Sequence, residues 1–189
     1  MNIGLYFGSF NPIHVGHLII ASHIADHSSL QQVWFVVSPQ NPLKPSTTLL
    51  NEYHRLHLVQ LAIEGDPRMK ATDVEFRLPR PSYTIDTLTH LSEKYPGYDF
   101  SIIMGSDSLQ NISRWKNYEL LLRNYKLLVY PRPGYNPDTS HGGNISIMHA
   151  PLLDVSATAI RKNIALGKSV RYLLPDKVRE EIERSGYYK

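Results

Sequence analysis

The 189-residue sequence contains no cysteine. That removes thiol nucleophiles, cysteine-ligated zinc, iron–sulfur clusters and any disulfide framework from consideration. No apolar run approaches the ~20 residues that a membrane span needs. No block of five or more like charges marks a polyanion-binding tail, and repeats and low-complexity tracts are absent. The amino terminus, MNIGLYFGSFNPIH, lacks a basic region and a small-residue cleavage site, so it does not read as a signal peptide. A cytoplasmic protein with no membrane partner is expected. Excess charge is also scarce: 20 basic residues against 17 acidic ones leave a formal +3. The pI near 9.0 therefore rests on three charges and does not argue for a nucleic-acid partner. With 42% hydrophobic residues and a length typical of one domain, residues 1–189 are expected to form a single domain with its own core.

What is present alternates. Asn2–Phe7 and Gln32–Ser38 are short apolar runs suited to strands buried on both faces. Helical patterns cover Gly16–His27, Asn51–Gly65 and Thr84–Tyr95, the last stopping before Pro96. Strands are expected at Met69–Phe76, Phe100–Met104, Lys126–Tyr130 and Ile145–His149, with an amphipathic WKNYELLL segment before Lys126. Two helices finish the chain: Ser156–Leu166, and Asp176–Ser185 with Asp176 as N-cap and Gly186 after its end. Strands alternating with helices predict α/β architecture, a doubly wound parallel sheet with helices on both faces. Ligands of such sheets bind at the carboxyl ends of the strands. Two stretches, 38–47 and 131–143, read as loops. The first carries Lys44 among prolines, and the second is expected to be a surface excursion.

The loop after the first strand reads Gly8-Ser9-Phe10-Asn11-Pro12-Ile13-His14-Val15-Gly16-His17. Gly8 permits a turn and a close ligand approach. The first helix begins near Val15, so its unpaired amides and positive dipole end face the strand exit, where phosphate is attracted. His14 and His17, three residues apart, can face one ligand, and Gly16 between them leaves a flat spot where a planar base could rest. A histidine is a poor helix cap, and two of them here have no evident structural reason. For the other seven histidines the solvated helix face is the better reading, including the spaced pairs His23/His27 and His54/His57. Near the other end, Val155-Ser156-Ala157-Thr158-Ala159-Ile160-Arg161 offers a capping serine, a threonine in the first turn and an arginine suited to phosphate.

The first of these loops resembles the H-x-G-H signature of the nucleotidyltransferase superfamily, and the second its S-[ST]-T-x-[IL]-R segment. Three further stretches resemble bacterial nicotinate-nucleotide adenylyltransferases: Pro81-Ser82-Tyr83-Thr84-Ile85-Asp86-Thr87-Leu88, Gly105-Ser106-Asp107-Ser108-Leu109 with the following Trp115, and the loop with Asn41, Pro42 and Lys44. The resemblance runs from residue 3 to about residue 174. It implies a Rossmann-like fold and adenylyl transfer from ATP to nicotinate mononucleotide, giving deamido-NAD and pyrophosphate, with Mg²⁺ accompanying ATP. It assigns ATP to Gly8, Ser9, Phe10, His14, His17, Gly105, Asp107, Ser156, Thr158, Ile160 and Arg161. It assigns the mononucleotide to Asn41, Lys44, Tyr83, Thr84, Asp107 and Trp115, with Tyr83 and Thr84 offering amides to the nicotinate carboxylate and Trp115 stacking on the ring. Catalysis falls to His14, His17, Lys44 and Arg161, and no residue is assigned as a metal ligand.

The sequence departs from the family where Phe7, Ser9 and Asn11 replace the usual Gly, Thr and Asp, and where Leu43 stands in a usual histidine position. Alternatives are nicotinamide mononucleotide as acceptor, another transferase of the superfamily such as a phosphopantetheine adenylyltransferase, or a non-catalytic nucleotide sensor. Self-association into a homo-oligomer stays open.

Overall fold

A computed structural model describes residues 1–40, 49–151 and 153–189. Six strands, β1 (Asn2–Gly8), β2 (Gln32–Val37), β3 (Met69–Thr72), β4 (Asp99–Gly105), β5 (Lys126–Tyr130) and β6 (Ile145–Ile147), form one sheet in the order β3-β2-β1-β4-β5-β6. Every pairing is parallel. This is the doubly wound Rossmann order, and its switch point falls between β1 and β4.

Alternation along the strands splits the core in two. Tyr6, Val33, Phe35, Val37, Ile103 and Leu128 pack with α1 (Val15–Asp26), α2 (Glu52–Ile63), α6 (Ala157–Ala165) and α7 (Asp176–Ser185). Ile3, Leu5, Trp34, Val36, Ile102 and Val129 pack with α3 (Thr84–Lys94), α4 (Ser106–Gln110) and α5 (Tyr118–Asn124). Neighbouring residues of one strand therefore serve opposite layers, which explains why β1 and β2 read as continuous apolar runs. Local chemistry sets the helix ends. Asn51 accepts from the Tyr53 amide at 2.9 Å, Ser156 accepts from the Ala159 amide at 3.2 Å, and Gly186 takes a left-handed φ of +70° after α7.

Four expectations are corrected. β3 stops at Thr72 rather than Phe76, because the chain turns at Asp73 into a 3-10 turn, Val74–Arg77, that buries Glu75. The N-cap of α7 is Pro175, so Asp176 stands in the first turn, where its charge still favours the dipole. β6 stops at Ile147 rather than His149. The short α4, for which no element was expected, has too few residues to show a period, and Ser106 at its start makes tertiary bonds. The Ser106 hydroxyl donates to the Tyr135 carbonyl and accepts from the Arg132 amide, both at 2.9 Å. The 131–143 stretch is largely exposed from Pro133 onwards, as expected, but those two bonds draw its start toward the strand ends. No helix among the described residues is long and apolar enough to cross a membrane.

Candidate active site

The carboxyl ends of β1 and β4 open into a cavity of about 380 Å³. From the β1 loop it receives Gly8, Ser9, Phe10, Asn11, His14 and His17, from α4 Asp107, and from α6 Ser156, Thr158 and Arg161. Segments from both ends of the chain thus converge at the switch point. Another depression, about 450 Å³, lies at the opposite end of the sheet, near Asn2, Asp99 and Lys126. It collects none of the motif residues.

Within this loop Phe10 takes a left-handed φ of +44°. Gly8 is required because a Cβ there would lie 2.8 Å from the Phe10 ring. Likewise, the flat spot at Gly16 is occupied: a Cβ would meet His14 Nδ1 at 3.0 Å. The absent side chain therefore seats an imidazole rather than leaving room for a base.

His14 and His17 stack with ring centroids 3.7 Å apart and planes 24° apart. They have a structural reason after all. His14 is the N-cap of α1, and its backbone amide donates to His17 Nδ1 at 3.3 Å. A neutral ring accepting at Nδ1 carries its proton on Nε2, so His17 presents an Nε2–H donor. His14 is 5% exposed, and its Nδ1 has no hydrogen-bond partner among the described residues. Burial lowers the His14 pKa to about 4, with the Arg132 guanidinium adding to the effect. Burial first, then His14 and Arg132, holds His17 well below the usual histidine range. Burial thus favours the neutral form of both rings.

Arg161 donates from Nη1 to the Asn11 carbonyl at 2.7 Å and from Nη2 to Thr158 Oγ1 at 3.4 Å, which links α6 to the β1 loop. Asp107 stands 4.0 Å from Arg132 Nε. On the cavity wall the Tyr6 and Tyr130 hydroxyls meet at 3.1 Å. Ile160 is wholly buried in the core and does not line the cavity. Gly105 precedes α4 as its N-cap.

Tyr83, Thr84 and Trp115 do not line this cavity. Tyr83 caps α3 and Thr84 begins it, and Lys116, the neighbour of Trp115 in the chain, places its Nζ 5.0 Å from the Tyr83 ring while bonding Asp86 at 2.8 Å. Trp115 is partly buried against the core layer beneath α3. Asn41 and Lys44 lie outside the described residues.

Sequence reasoning missed three residues. Arg132 lines the cavity from the start of a loop that looked merely exposed. Arg55 is fully buried and donates to four carbonyls: Leu50 (2.7 Å), Ser9 (2.5 Å), Ser38 (2.8 Å) and Pro39 (2.9 Å). No ion pair to Arg55 exists among the described residues. It fastens the β1 loop, the β2 exit and the start of α2 to one guanidinium. Tyr188, two residues after Gly186, donates its hydroxyl to Asn11 Oδ1 at 2.8 Å, beside the Leu50 amide at 3.2 Å. An arginine at a helical core position was a readable signal for Arg55. Nothing local marked Tyr188.

A switch-point cavity lined by His14 and His17 from the β1–α1 loop and by Ser156, Thr158 and Arg161 from the start of α6 is suited to a ligand's phosphates. The family model for cytidylyltransferase-like proteins matches residues 5–163. A relative from Flavobacterium psychrophilum, named "Probable nicotinate-nucleotide adenylyltransferase", is 53% identical over the full length of both chains. A relative of the same name from Bacteroides fragilis is 46% identical, covering 95% of this chain and 90% of its own. The solved structure of Plasmodium falciparum nicotinic acid mononucleotide adenylyltransferase complexed with NaAD superposes with a TM-score of 0.84 at 20% identity, covering 99% of this chain and 97% of that one. The chain belongs to the nicotinate-nucleotide adenylyltransferase family of cytidylyltransferase-like proteins.

Proposed function

We propose that the protein transfers the adenylyl group of ATP to nicotinate mononucleotide, forming nicotinate adenine dinucleotide and pyrophosphate. The observation that carries this reading is the stacked His14–His17 pair at the start of α1, which shares one cavity with Arg161. An oxygen of the mononucleotide 5′-phosphate attacks the α-phosphorus, and the new P–O bond forms as the α–β bridging bond breaks. Pyrophosphate leaves in line with the bonding electron pair, and no enzyme nucleophile is needed. Catalysis then consists of positioning and charge stabilisation.

In this reading His17 donates its Nε2–H to the phosphate oxygens that gain charge, and His14 adds a second imidazole donor. Arg161, held on the Asn11 carbonyl, meets the outer phosphates. Lys44 brings in the phosphate of the mononucleotide, and Asn41 also serves that substrate. Gly8, Ser9, Phe10, Gly105, Asp107, Ser156 and Thr158 enclose ATP, with Ile160 packed behind them. Tyr83 and Thr84 hold the nicotinate carboxylate on the first amides of α3, and Trp115 faces the pyridine ring. Among the described residues no group of three histidines, aspartates or glutamates is placed to hold a metal. Mg²⁺ would then be carried by the triphosphate and water. The ion would neutralise charge on the phosphates.

The test is pyrophosphate release from ATP with nicotinate mononucleotide or nicotinamide mononucleotide as acceptor. Turnover is expected chiefly with the acid. ATP binding without pyrophosphate release would refute the reading in favour of a nucleotide sensor.

A further inference from the structure

Glu75 lies in the 3-10 turn after β3, is 2% exposed, and has no cation within ion-pair distance among the described residues. Hydroxyls surround it instead. Ser82 Oγ donates to one carboxylate oxygen at 3.0 Å, and Thr87 Oγ1 to the other at 2.9 Å. The Ser38 hydroxyl, at the exit of β2, bonds it as well. Burial pushes the Glu75 pKa up while the three hydroxyls pull it back. A buried carboxylate without a cation is costly, so a structure that keeps one uses its acceptors for something.

Its partners bracket one dipeptide. Ser82 immediately precedes Tyr83, and Thr87 sits one turn into α3, where its hydroxyl also lies 3.3 Å from the Tyr83 carbonyl. The Thr87 amide donates to that same carbonyl at 3.1 Å. Tyr83 and Thr84 are therefore clamped on both sides by contacts that end on Glu75. Ser38 extends the clamp: its amide donates to the Gly8 carbonyl at 2.9 Å and its carbonyl accepts from Arg55. One carboxylate thus ties the start of α3 to the β2 exit and, through it, to the β1 loop.

We infer that Glu75 is a positioning residue for the acid-bearing substrate, fixing the direction of the Tyr83–Thr84 amides at the start of α3 through Ser82 and Thr87. The inference rests on the proposed function, which places the nicotinate carboxylate on those amides. Glu75 itself touches no substrate and acts through residues 82–87.

Three proteins decide it: wild type, Glu75→Ala and Glu75→Gln. In Glu75→Ala the KM for nicotinate mononucleotide is expected to rise about tenfold or more, with the KM for ATP within about threefold of wild type. Glu75→Gln keeps the shape and an acceptor, and hydroxyls can rotate to serve an amide, so it should restore most of the lost affinity. A parallel rise in both KM values, failure of Gln to rescue, or no change in a folded Ala variant would each overturn the inference. Amide hydrogen exchange provides a readout without substrate: Glu75→Ala should speed exchange across residues 83–87 and leave the α1 amides unchanged. If the wild type makes no dinucleotide from nicotinate mononucleotide, the functional reading falls. The clamp is then judged by exchange, and unaltered protection of residues 83–87 would refute it.

Discussion

Replacing Arg55 by methionine puts the clamp beneath the β1 loop to a quantitative test. The side chain is fully buried and makes four charge-assisted bonds to the carbonyls of Ser9, Ser38, Pro39 and Leu50. Methionine fills much of the volume and removes the desolvation cost of the guanidinium, but it leaves all four acceptors behind. An orphaned buried acceptor costs roughly 1–3 kcal/mol. Three of these bonds are only partly buried, so water can satisfy some of their acceptors, and a net loss of about 3 kcal/mol is a reasonable centre. For a chain of this length that corresponds to a drop in Tm of roughly 6–12 °C. Because Ser9 and Ser38 are both released, the KM for ATP should rise at temperatures where the variant stays folded. Arg55→Lys keeps the charge but donates from a single atom, and it cannot span three chain segments, so it should recover less than half of the loss. Thermal unfolding by circular dichroism and steady-state kinetics at 20 °C measure both effects. A Tm within about 2 °C of wild type, with ATP kinetics unchanged, would show that the four carbonyls do not depend on Arg55.

Further outcomes follow from the site. His17→Ala removes both the Nε2–H donor and the acceptor for the His14 amide, and turnover should fall at least ~10²-fold; near-native turnover would remove His17 from the mechanism. The His14 pKa of about 4 against 6.5 when unfolded means the unfolded chain binds more protons between those values. Its contribution is thus complete above pH 6.5 and is lost as pH falls toward 4, amounting to roughly 2–3 kcal/mol by pH 4.5. Urea unfolding at pH 7.0 and 4.5 should show this loss shrinking in His14→Asn, and equal pH dependence in the two proteins would contradict the shift. Tyr188→Phe removes one donor to Asn11 and should cost about 1 kcal/mol, measured by urea unfolding. An unchanged midpoint would mean that contact is not formed in solution.

Much of this protein could be read along the chain because its information is local. The apolar runs at Asn2–Phe7 and Gln32–Ser38 marked strands buried on both faces, Ser156 marked a capped helix, and Gly186 marked the end of α7. The spacing of His14 and His17 across a helix start, and the run Ser156–Arg161, were legible because α-helical periodicity converts spacing into direction. The 3-10 turn at Val74–Arg77 and the short α4 were not legible, since each has too few residues to show a period and bonds to residues outside itself, Glu75 to Ser82 and Thr87, Ser106 to Tyr135.

The sequence by itself determined the alternating elements, the cysteine-free chemistry and the two motifs suited to phosphate. Tertiary structure alone decided what those motifs rest on. The tertiary structure brings residue 161 onto residue 11 and into one cavity with residue 14, and it seats an imidazole at Gly16, where space for a base was expected. It also makes Arg55, Glu75 and Tyr188 the supports of a site none of them was expected to serve. The physical reason is that a buried charge or hydroxyl must find partners wherever the fold supplies them. Those partners, Ser9, Ser82 and Asn11, lie up to 177 residues away, beyond the reach of any local pattern.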